Sequence, residues 1–130
     1  MAIEFLIPVS EEVLSLRTTS EPQTLGNKIK IHTETGGIPS FKNKRIAIVG
    51  VQETRSIGQP HQRKQNLTGI RKALYSLYIG NWSNSIIDLG NVPIGDKESD
   101  SMKVLHDIAK EMYQRNILLI AFGGSQENNL

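Results

Sequence analysis

Three apolar runs, each ending at or beside a glycine, constrain the fold of this chain more than any other feature. They occupy residues 45–51, 85–90 and 117–122 and are rich in isoleucine, leucine and valine. Continuous rather than alternating apolar character is typical of strands that are covered on both faces, as in a parallel sheet. The sequence therefore predicts three core strands in a mainly parallel sheet.

Two segments with helical spacing separate these three runs. The first helix is expected over residues 68–78, with a buried stripe of Ile70, Leu74, Leu77 and Tyr78. The second is expected over residues 99–114, with a buried stripe of Met102, Leu105, Ile108, Ala109 and Met112. The order strand, helix, strand, helix, strand predicts an α/β fold whose strands are joined by helical crossovers.

The first 43 residues are expected to form an irregular N-terminal arm ahead of the βαβαβ core in residues 44–130. Residues 3–9 are compatible with a short strand, which Pro8 restricts to an edge or an end. Residues 11–16 are compatible with one or two helical turns. Residues 28–32 alternate polar and apolar side chains, which predicts a short half-buried strand.

Composition excludes several classes of protein. A chain of 130 residues with 38% hydrophobic and 22% charged residues is typical of one soluble globular domain. It contains no cysteine, which removes disulfides and thiolate sites and is compatible with a reducing cytoplasm. The longest apolar run, residues 117–122, is too short to span a bilayer, and no secretory signal opens the chain. A cytoplasmic protein without a membrane partner is expected.

The loops that follow the three strands are expected to share one functional rim, because ligands collect at the carboxyl ends of parallel strands. These loops cover residues 51–58, 89–95 and 123–127. The carboxylates expected on the rim are Glu53 and, directly after the second loop, Asp96. His61 lies in the polar residues 52–66, taken here as a loop, whereas His32 and His106 are expected on the surface. No two histidines have the spacing of a local metal pair. Ser125 lacks the glycine two residues later that a nucleophile elbow requires.

Basic residues crowd the middle of the chain, where Glu34 and Glu53 alone oppose them. A solvated basic face is the simplest interpretation, and a nucleic-acid surface is the alternative. With 5% aromatic residues the chain offers no stacking platform, so nucleic acid is not an expected partner. The basic residues are Lys28, Lys30, Lys42, Lys44, Arg45, Arg55, Arg63, Lys64, Arg71 and Lys72.

Four segments, in this order, resemble formimidoylglutamase-like members of the arginase superfamily. Residues 46–55 resemble that family's first strand and loop, and residues 70–78 resemble its first core helix. Residues 87–92 contain its Asp-Leu-Gly-Asn segment, and residues 116–126 resemble the strand that delivers Gly-Gly-Asp-His in the catalytic members. The resemblance implies a three-layer α/β/α domain of the arginase/deacetylase type, of which this chain covers a part.

The resemblance also implies an activity, from which this chain departs. Family members hydrolyse guanidino or formimino groups with two Mn²⁺ ions that share a bridging hydroxide. Here the last motif reads Gly123-Gly124-Ser125-Gln126, so Gln126 takes the place of a histidine ligand and Ser125 that of an aspartate. The family's Asp-x-His-x-Asp and Asp-x-Asp segments do not occur among the 130 residues. No catalytic residue, metal ligand or bound cofactor is therefore assigned to this chain.

The resulting hypothesis is the N-terminal portion of a formimidoylglutamase- or arginase-like hydrolase of linear amidine C–N bonds, inactive alone. Its small-molecule substrate would bind only in a longer relative. The candidate binding rim comprises Glu53, His61, Gly123, Gly124, Ser125 and Gln126. The alternative is a non-catalytic binding or oligomerisation module derived from the ureohydrolase fold. A half sheet leaves the edge of its third core strand uncovered, so a homo-oligomer is expected.

Overall fold

The computed structural model places four parallel strands in one sheet and packs helices against it. It describes residues 2–15, 17, 24–51, 60–78, 85–93 and 98–123, and for residues 60–66 and 98–101 it describes the backbone alone. Within these residues the strands are β1 (Lys30–Ile31), β2 (Ile46–Val51), β3 (Ile86–Val92) and β4 (Leu118–Gly123). A 3₁₀ turn (Ala2–Phe5) precedes α1 (Glu11–Leu14), α2 (Leu25–Lys28), α3 (Pro60–Tyr75) and α4 (Glu98–Gln114).

The sheet has the strand order β1-β3-β2-β4, and every strand pair in it is parallel. Ile46 at the start of β2 pairs with Leu118 of β4, and Val51 at its end pairs with both Val92 of β3 and Gly123 of β4. The predicted α/β fold with parallel strands is confirmed. Because the register is level, the carboxyl ends of the three core strands lie side by side, as the rim prediction requires.

Alternate residues of the central strands enter two separate hydrophobic clusters, as the period of two in a strand requires. Ala47 of β2 and Ile87 of β3 join Ile108 and Met112 of α4 in the larger cluster. Ile46 and Ile86 join the second cluster with Tyr75 of α3 and residues of α1 and α2. The sheet is thereby covered by α4 on one face and by α3 on the other.

Helix α4 lies within one residue of its predicted start and ends where predicted. Ile108 and Met112 are fully buried, as the apolar spacing predicts, and Leu105 is half-buried. The stripe is narrower than predicted, because Met102 and Ala109 are exposed. The helix packs against β3 and β4 with one narrow face, so positions at the margins of the predicted stripe remain in solvent.

Helix α3 differs most from the prediction. It begins at Pro60 and ends at Tyr75, so part of the predicted loop in residues 52–66 is helical. Proline is accepted in the first turn of a helix, where its missing N–H has no intrahelical role. The predicted buried stripe is also wrong: Ile70, Leu77 and Tyr78 are exposed, at 37%, 51% and 66% of their surface, and Leu74 is half-buried. The buried face consists instead of Leu67, Arg71 and Tyr75, spaced four residues apart.

The N-terminal arm packs onto the core and covers one edge of the sheet. Residues 3–9 do not form a strand; a 3₁₀ turn is followed by Ile7, which makes an antiparallel bridge to Asn91 of β3. The predicted strand in residues 28–32 is reduced to β1, and it pairs with the same edge of β3. Strand β3 itself continues to Val92, two residues beyond its predicted end.

Candidate functional site

The predicted rim residues are only partly within the described chain. Gly123 ends β4 with a φ of +91° and lies beside Val51 and Leu67. His61 lies in the first turn of α3 and not in a loop, which corrects the sequence interpretation; its side chain is outside the description. Glu53, Asp96, Gly124, Ser125 and Gln126 all lie outside the described residues. Of the predicted rim, the structure therefore shows the level strand ends and Gly123.

The most developed polar site in the described chain surrounds Asp88, in the middle of β3. Asp88 is fully buried, and Arg71 of α3 is 2% exposed. Arg71 binds the carboxylate with two nitrogens: Nε donates to Oδ2 at 2.9 Å and Nη2 donates to Oδ1 at 2.8 Å. This fork geometry matches a planar guanidinium to a carboxylate, which a lysine cannot do.

Two further donors complete the coordination of the Asp88 carboxylate. The hydroxyl of Tyr75 donates to Oδ2 at 2.6 Å, and the backbone N–H of Gly90 donates to Oδ1 at 3.0 Å. Each oxygen of Asp88 thus accepts two hydrogen bonds. Among the described side chains no buried polar atom lacks a partner. The carboxylate is saturated by protein donors, which is the condition for burying a charge without a large free-energy penalty.

Further hydrogen bonds from the guanidinium of Arg71 extend this network toward the carboxyl ends of the strands. Nη1 donates to Oδ1 of Asn91 at 2.5 Å, and Nη2 also donates to the carbonyl oxygen of Gly90 at 2.8 Å. The guanidinium carbon lies 4.9 Å from the ring centroid of Phe122 in β4, a cation–π distance. Arg71 therefore links α3 to both β3 and β4 just below the rim.

The electrostatics of the network favour a charged Arg71 and a neutral Tyr75. Burial alone would lower the pKa of Arg71, but the hydrogen bond and the charge of Asp88 outweigh it and raise that pKa. Burial, reinforced by the negative charge of Asp88, raises the pKa of the Tyr75 hydroxyl well above its ordinary value. The tyrosine consequently stays a hydrogen-bond donor, and Arg71 stays positively charged.

A second buried contact joins the arm to the same strand. His32 was expected on the surface, but it is 7% exposed, and its Nδ1 lies 2.9 Å from the carbonyl oxygen of Leu89. Nearby, the N–H of Ile7 donates to Asn91 O and the N–H of Asn91 donates to Ile7 O, both at 2.8 Å. His32 is buried because the arm runs along the edge of β3 here. The sequence around His32 does not reveal this contact. His106 is exposed, as expected.

Gly90 permits the close passage of the arm. Its φ is +94°, a conformation that L side chains rarely adopt, and a Cβ atom there would collide with the carbonyl oxygen of Ile7. The Gly-Asn pair at the end of the Asp-Leu-Gly-Asn segment therefore has a structural use in this chain. Gly90 admits the arm, and Asn91 bonds both the arm and Arg71.

These residues do not fit a Mn²⁺ site of the kind that the family resemblance implies. Asp88 is the only buried carboxylate among the described side chains, and both its oxygens already accept hydrogen bonds from Arg71 and from Tyr75 or Gly90. In the described parts of the chain, no group of three or more histidine, aspartate or glutamate side chains could hold a metal ion. Asp88 is a structural anchor and not a ligand.

Two signals in the sequence could have revealed this network. Asp88 is the only charged residue in the run Ile86-Ile87-Asp88-Leu89, and a carboxylate in a fully buried strand needs a partner. The partner, Arg71, was interpreted as part of a basic surface. Its spacing of four residues from both Leu67 and Tyr75 was the second signal, because all three lie on one helical face.

Among the described residues, no helix has the length and apolar character required to cross a membrane. The chain matches no protein-family model, no curated protein and no solved structure.

Proposed function

We propose that this chain is the N-terminal portion of a formimidoylglutamase-like domain of the arginase superfamily, with a three-layer arginase/deacetylase-like architecture. In this proposal it supplies scaffold and part of the substrate rim, while the manganese ligands come from elsewhere in the domain. The proposed activity of the whole domain is hydrolysis of a C–N bond in a linear amidine, either a guanidino or a formimino compound. The chain by itself is proposed to be inactive.

The observation that carries this proposal is the contact between two of the segments on which the family resemblance depends. Arg71 and Tyr75 belong to the helix segment, residues 70–78, and both bind Asp88 of the Asp-Leu-Gly-Asn segment. Asn91 of the same segment binds Arg71 in turn. Residues from two of the segments that carry the resemblance thus contact one another in the folded chain. Such contacts are expected if the segments were inherited together as one unit.

The arrangement of the strands supports the same proposal. The remaining two segments of the resemblance contain β2 and β4, which pair in parallel and end level with β3. A level carboxyl edge is where an α/β domain gathers ligands. Gly123, the first residue of the Gly-Gly-Ser-Gln motif, ends β4 at this edge. By the resemblance, Gln126 stands where the catalytic members have a histidine, and its neutral amide oxygen binds Mn²⁺ weakly.

The proposal is tested first in the gene and then in solution. The coding sequence after the codon for Leu130 is expected to supply the Asp-x-His-x-Asp and Asp-x-Asp segments. A protein that includes them is expected to release urea or formamide from guanidino or formimino substrates when Mn²⁺ is present. A coding sequence that lacks these segments would contradict the proposal, because it would supply no manganese ligands.

The 130-residue chain provides the matched control. We expect it to release no urea or formamide with Mn²⁺ under the conditions in which the longer protein is active. Measurable Mn²⁺-dependent turnover by the short chain would contradict its proposed role as scaffold.

The absence of cysteine leads us to place the protein in the cytoplasm, a proposal that fractionation of the native cells can check.

A further inference from the structure

Strand β3 contains one more residue than its neighbour β2 near the carboxyl edge of the sheet. Asp88 pairs with Ile48 and Asn91 pairs with Gly50, so three steps along β3 match two steps along β2. Such a β-bulge is uncommon between parallel strands, and it changes which face of the sheet the following side chains take. Gly90 lies inside the bulge and has a φ of +94°, a conformation that glycine adopts readily.

The bulge turns the side chains of Asp88 and Asn91 toward the same helix. In a regular strand, residues three apart face opposite sides of the sheet. Here both side chains bind Arg71 of α3. Leu89 and Val92, also three apart, both join the hydrophobic cluster of α4 on the other face. Without the extra residue, Asn91 would face α4 and Val92 would face Arg71.

The N-terminal arm and Arg71 both bind the residues of the bulge. Ile7 of the arm exchanges two backbone hydrogen bonds with Asn91, and its carbonyl oxygen lies where a Cβ of Gly90 would be. Arg71 donates to the carbonyl oxygen of Gly90 at 2.8 Å and to Oδ1 of Asn91 at 2.5 Å. The contact with the arm and the contact with Arg71 therefore require the same conformation of Gly90 and Asn91.

Arg71 continues this connection to the end of β4. Its guanidinium carbon lies 4.9 Å from the ring centroid of Phe122, and Phe122 directly precedes Gly123, the last residue of β4. Direct contacts thus lead from Ile7, at the outer edge of β3, through Asn91 and Arg71 to the rim end of β4.

We propose that the docked arm holds the β3 bulge, so that the arm, the bulge and Arg71 form one conformational unit that sets the carboxyl ends of β3 and β4. The bulged and regular registers are discrete alternatives, because a slip of one residue turns every following side chain to the other face. Only the bulged register directs the Asn91 side chain to Arg71.

The coupling between the arm and Arg71 is reciprocal, because two contacts that stabilise the same conformation stabilise each other. Loosening the contact of Arg71 with Asn91 is therefore expected to loosen the arm, and loosening the arm is expected to loosen Arg71. This inference does not depend on the ureohydrolase proposal, since it involves only contacts within the described residues.

Native-state hydrogen exchange of the 130-residue chain, followed by NMR, tests the coupling from Arg71 to the arm. A Cβ at Gly50 would strike Oδ1 of Asn91 beside Arg71 and would displace it. Gly50→Ala alters no residue of the arm, yet the amide of Ile7 should exchange at least about tenfold faster than in the unaltered chain. The amide of Ile108, buried in α4, reports global unfolding and should change by a smaller factor.

Gly69→Ala is the matched control for this variant. Gly69 also lies close to Arg71 in sequence, but a Cβ there would meet no atom within 4 Å. The substitution should therefore not accelerate exchange of the Ile7 amide.

A second variant tests the coupling from the arm to Arg71. Ile7→Pro removes the N–H that donates to the carbonyl oxygen of Asn91 and leaves every atom that Arg71 binds in place. The Nε–H of Arg71 should exchange at least about tenfold faster in this variant. Ile7→Val, which keeps the N–H, should leave that rate unchanged.

Circular dichroism establishes that each variant is folded, and if one of the two is not, the other decides alone. Two results would overturn the proposal. One is a Gly50→Ala variant whose Ile7 amide exchanges no faster than that of Gly69→Ala. The other is an Ile7→Pro variant in which the Nε–H of Arg71 exchanges at the unaltered rate. Either result would mean that the arm and Arg71 hold the bulge independently.

Discussion

Arg71 and Asp88 form a fully buried ion pair in which two guanidinium nitrogens bind the two carboxylate oxygens at 2.9 and 2.8 Å. Arg71 comes from the helix and Asp88 from the central part of the sheet, so the pair fixes how the helix lies on the sheet. Such a pair contributes little beyond what apolar residues of the same size would contribute, but loss of one partner leaves a buried charge uncompensated. Asp88→Asn and Arg71→Lys test this asymmetry.

Asp88→Asn is expected to lower the free energy of unfolding by about 3–5 kcal/mol, because it leaves the buried Arg71 charge without its counter-ion. Urea denaturation measured by circular dichroism gives the change. The double variant Arg71→Met with Asp88→Asn is the control, and it should lose less stability than Asp88→Asn alone because no buried charge remains. A change below about 1 kcal/mol in Asp88→Asn would show that Arg71 can reach solvent.

Arg71→Lys is expected to cost roughly 2–4 kcal/mol although it keeps the positive charge, because one ammonium cannot replace the fork that binds Asp88, Asn91 and Gly90. The adjacent residue provides the comparison. Lys72 pairs with Glu12 at 2.7 Å, but their side chains are 42% and 65% exposed, so Lys72→Met should cost no more than about 1 kcal/mol. Equal losses in these two variants would contradict the description of Arg71 as a buried anchor.

Tyr75→Phe is expected to lower stability at neutral pH by about 1.5–3 kcal/mol, because it removes a hydrogen bond to a buried carboxylate. The same residue gives a pH dependence. Unfolded Tyr75 loses its proton near pH 10, whereas burial raises the pKa of the folded residue, so above pH 10 the unfolded chain binds fewer protons. The free energy of unfolding contributed by this group is complete below pH 10 and falls above it by about 1.4 kcal/mol per pH unit.

Urea titrations at a series of pH values between 9 and about 11 test this dependence. Tyr75→Phe should lose stability less steeply over that interval than the unaltered chain. Tyr78→Phe, altered at an exposed position, should keep the original slope. Identical slopes in all three proteins would mean that the Tyr75 hydroxyl titrates normally in the folded state.

Gly90→Ala and Gly69→Ala are expected to change stability in opposite directions. Gly90 has a φ of +94°, and a Cβ there would strike the carbonyl oxygen of Ile7, so the substitution should displace the arm and cost at least about 1–3 kcal/mol. Gly69 lies in α3 with no heavy atom near its missing Cβ, so alanine there should add about 0.5–1 kcal/mol through its higher helix propensity. A denaturation midpoint below that of the unaltered protein for Gly90→Ala, and above it for Gly69→Ala, would confirm both descriptions.

The sequence by itself determined the parts of the fold that depend on local apolar patterns. Runs of isoleucine, leucine and valine identified β2, β3 and β4, and the spacing of Ile108 and Met112 identified the buried face of α4. Their alternation along the chain also predicted parallel strands with level carboxyl ends. These features follow from the sequence because strand and helix periods are properties of neighbouring residues.

The tertiary structure alone decided which charged and polar residues are buried and which apolar ones are not. Arg71 is buried because Asp88, 17 residues away in sequence, neutralises its charge. His32 is buried because the arm runs along the edge of β3. Ile70 and Ile120 are exposed although their runs predicted burial, because the cover they would need is not supplied within the described chain. Burial depends on partners that only folding brings together, and a local pattern of hydrophobic residues does not identify which residue will be the partner.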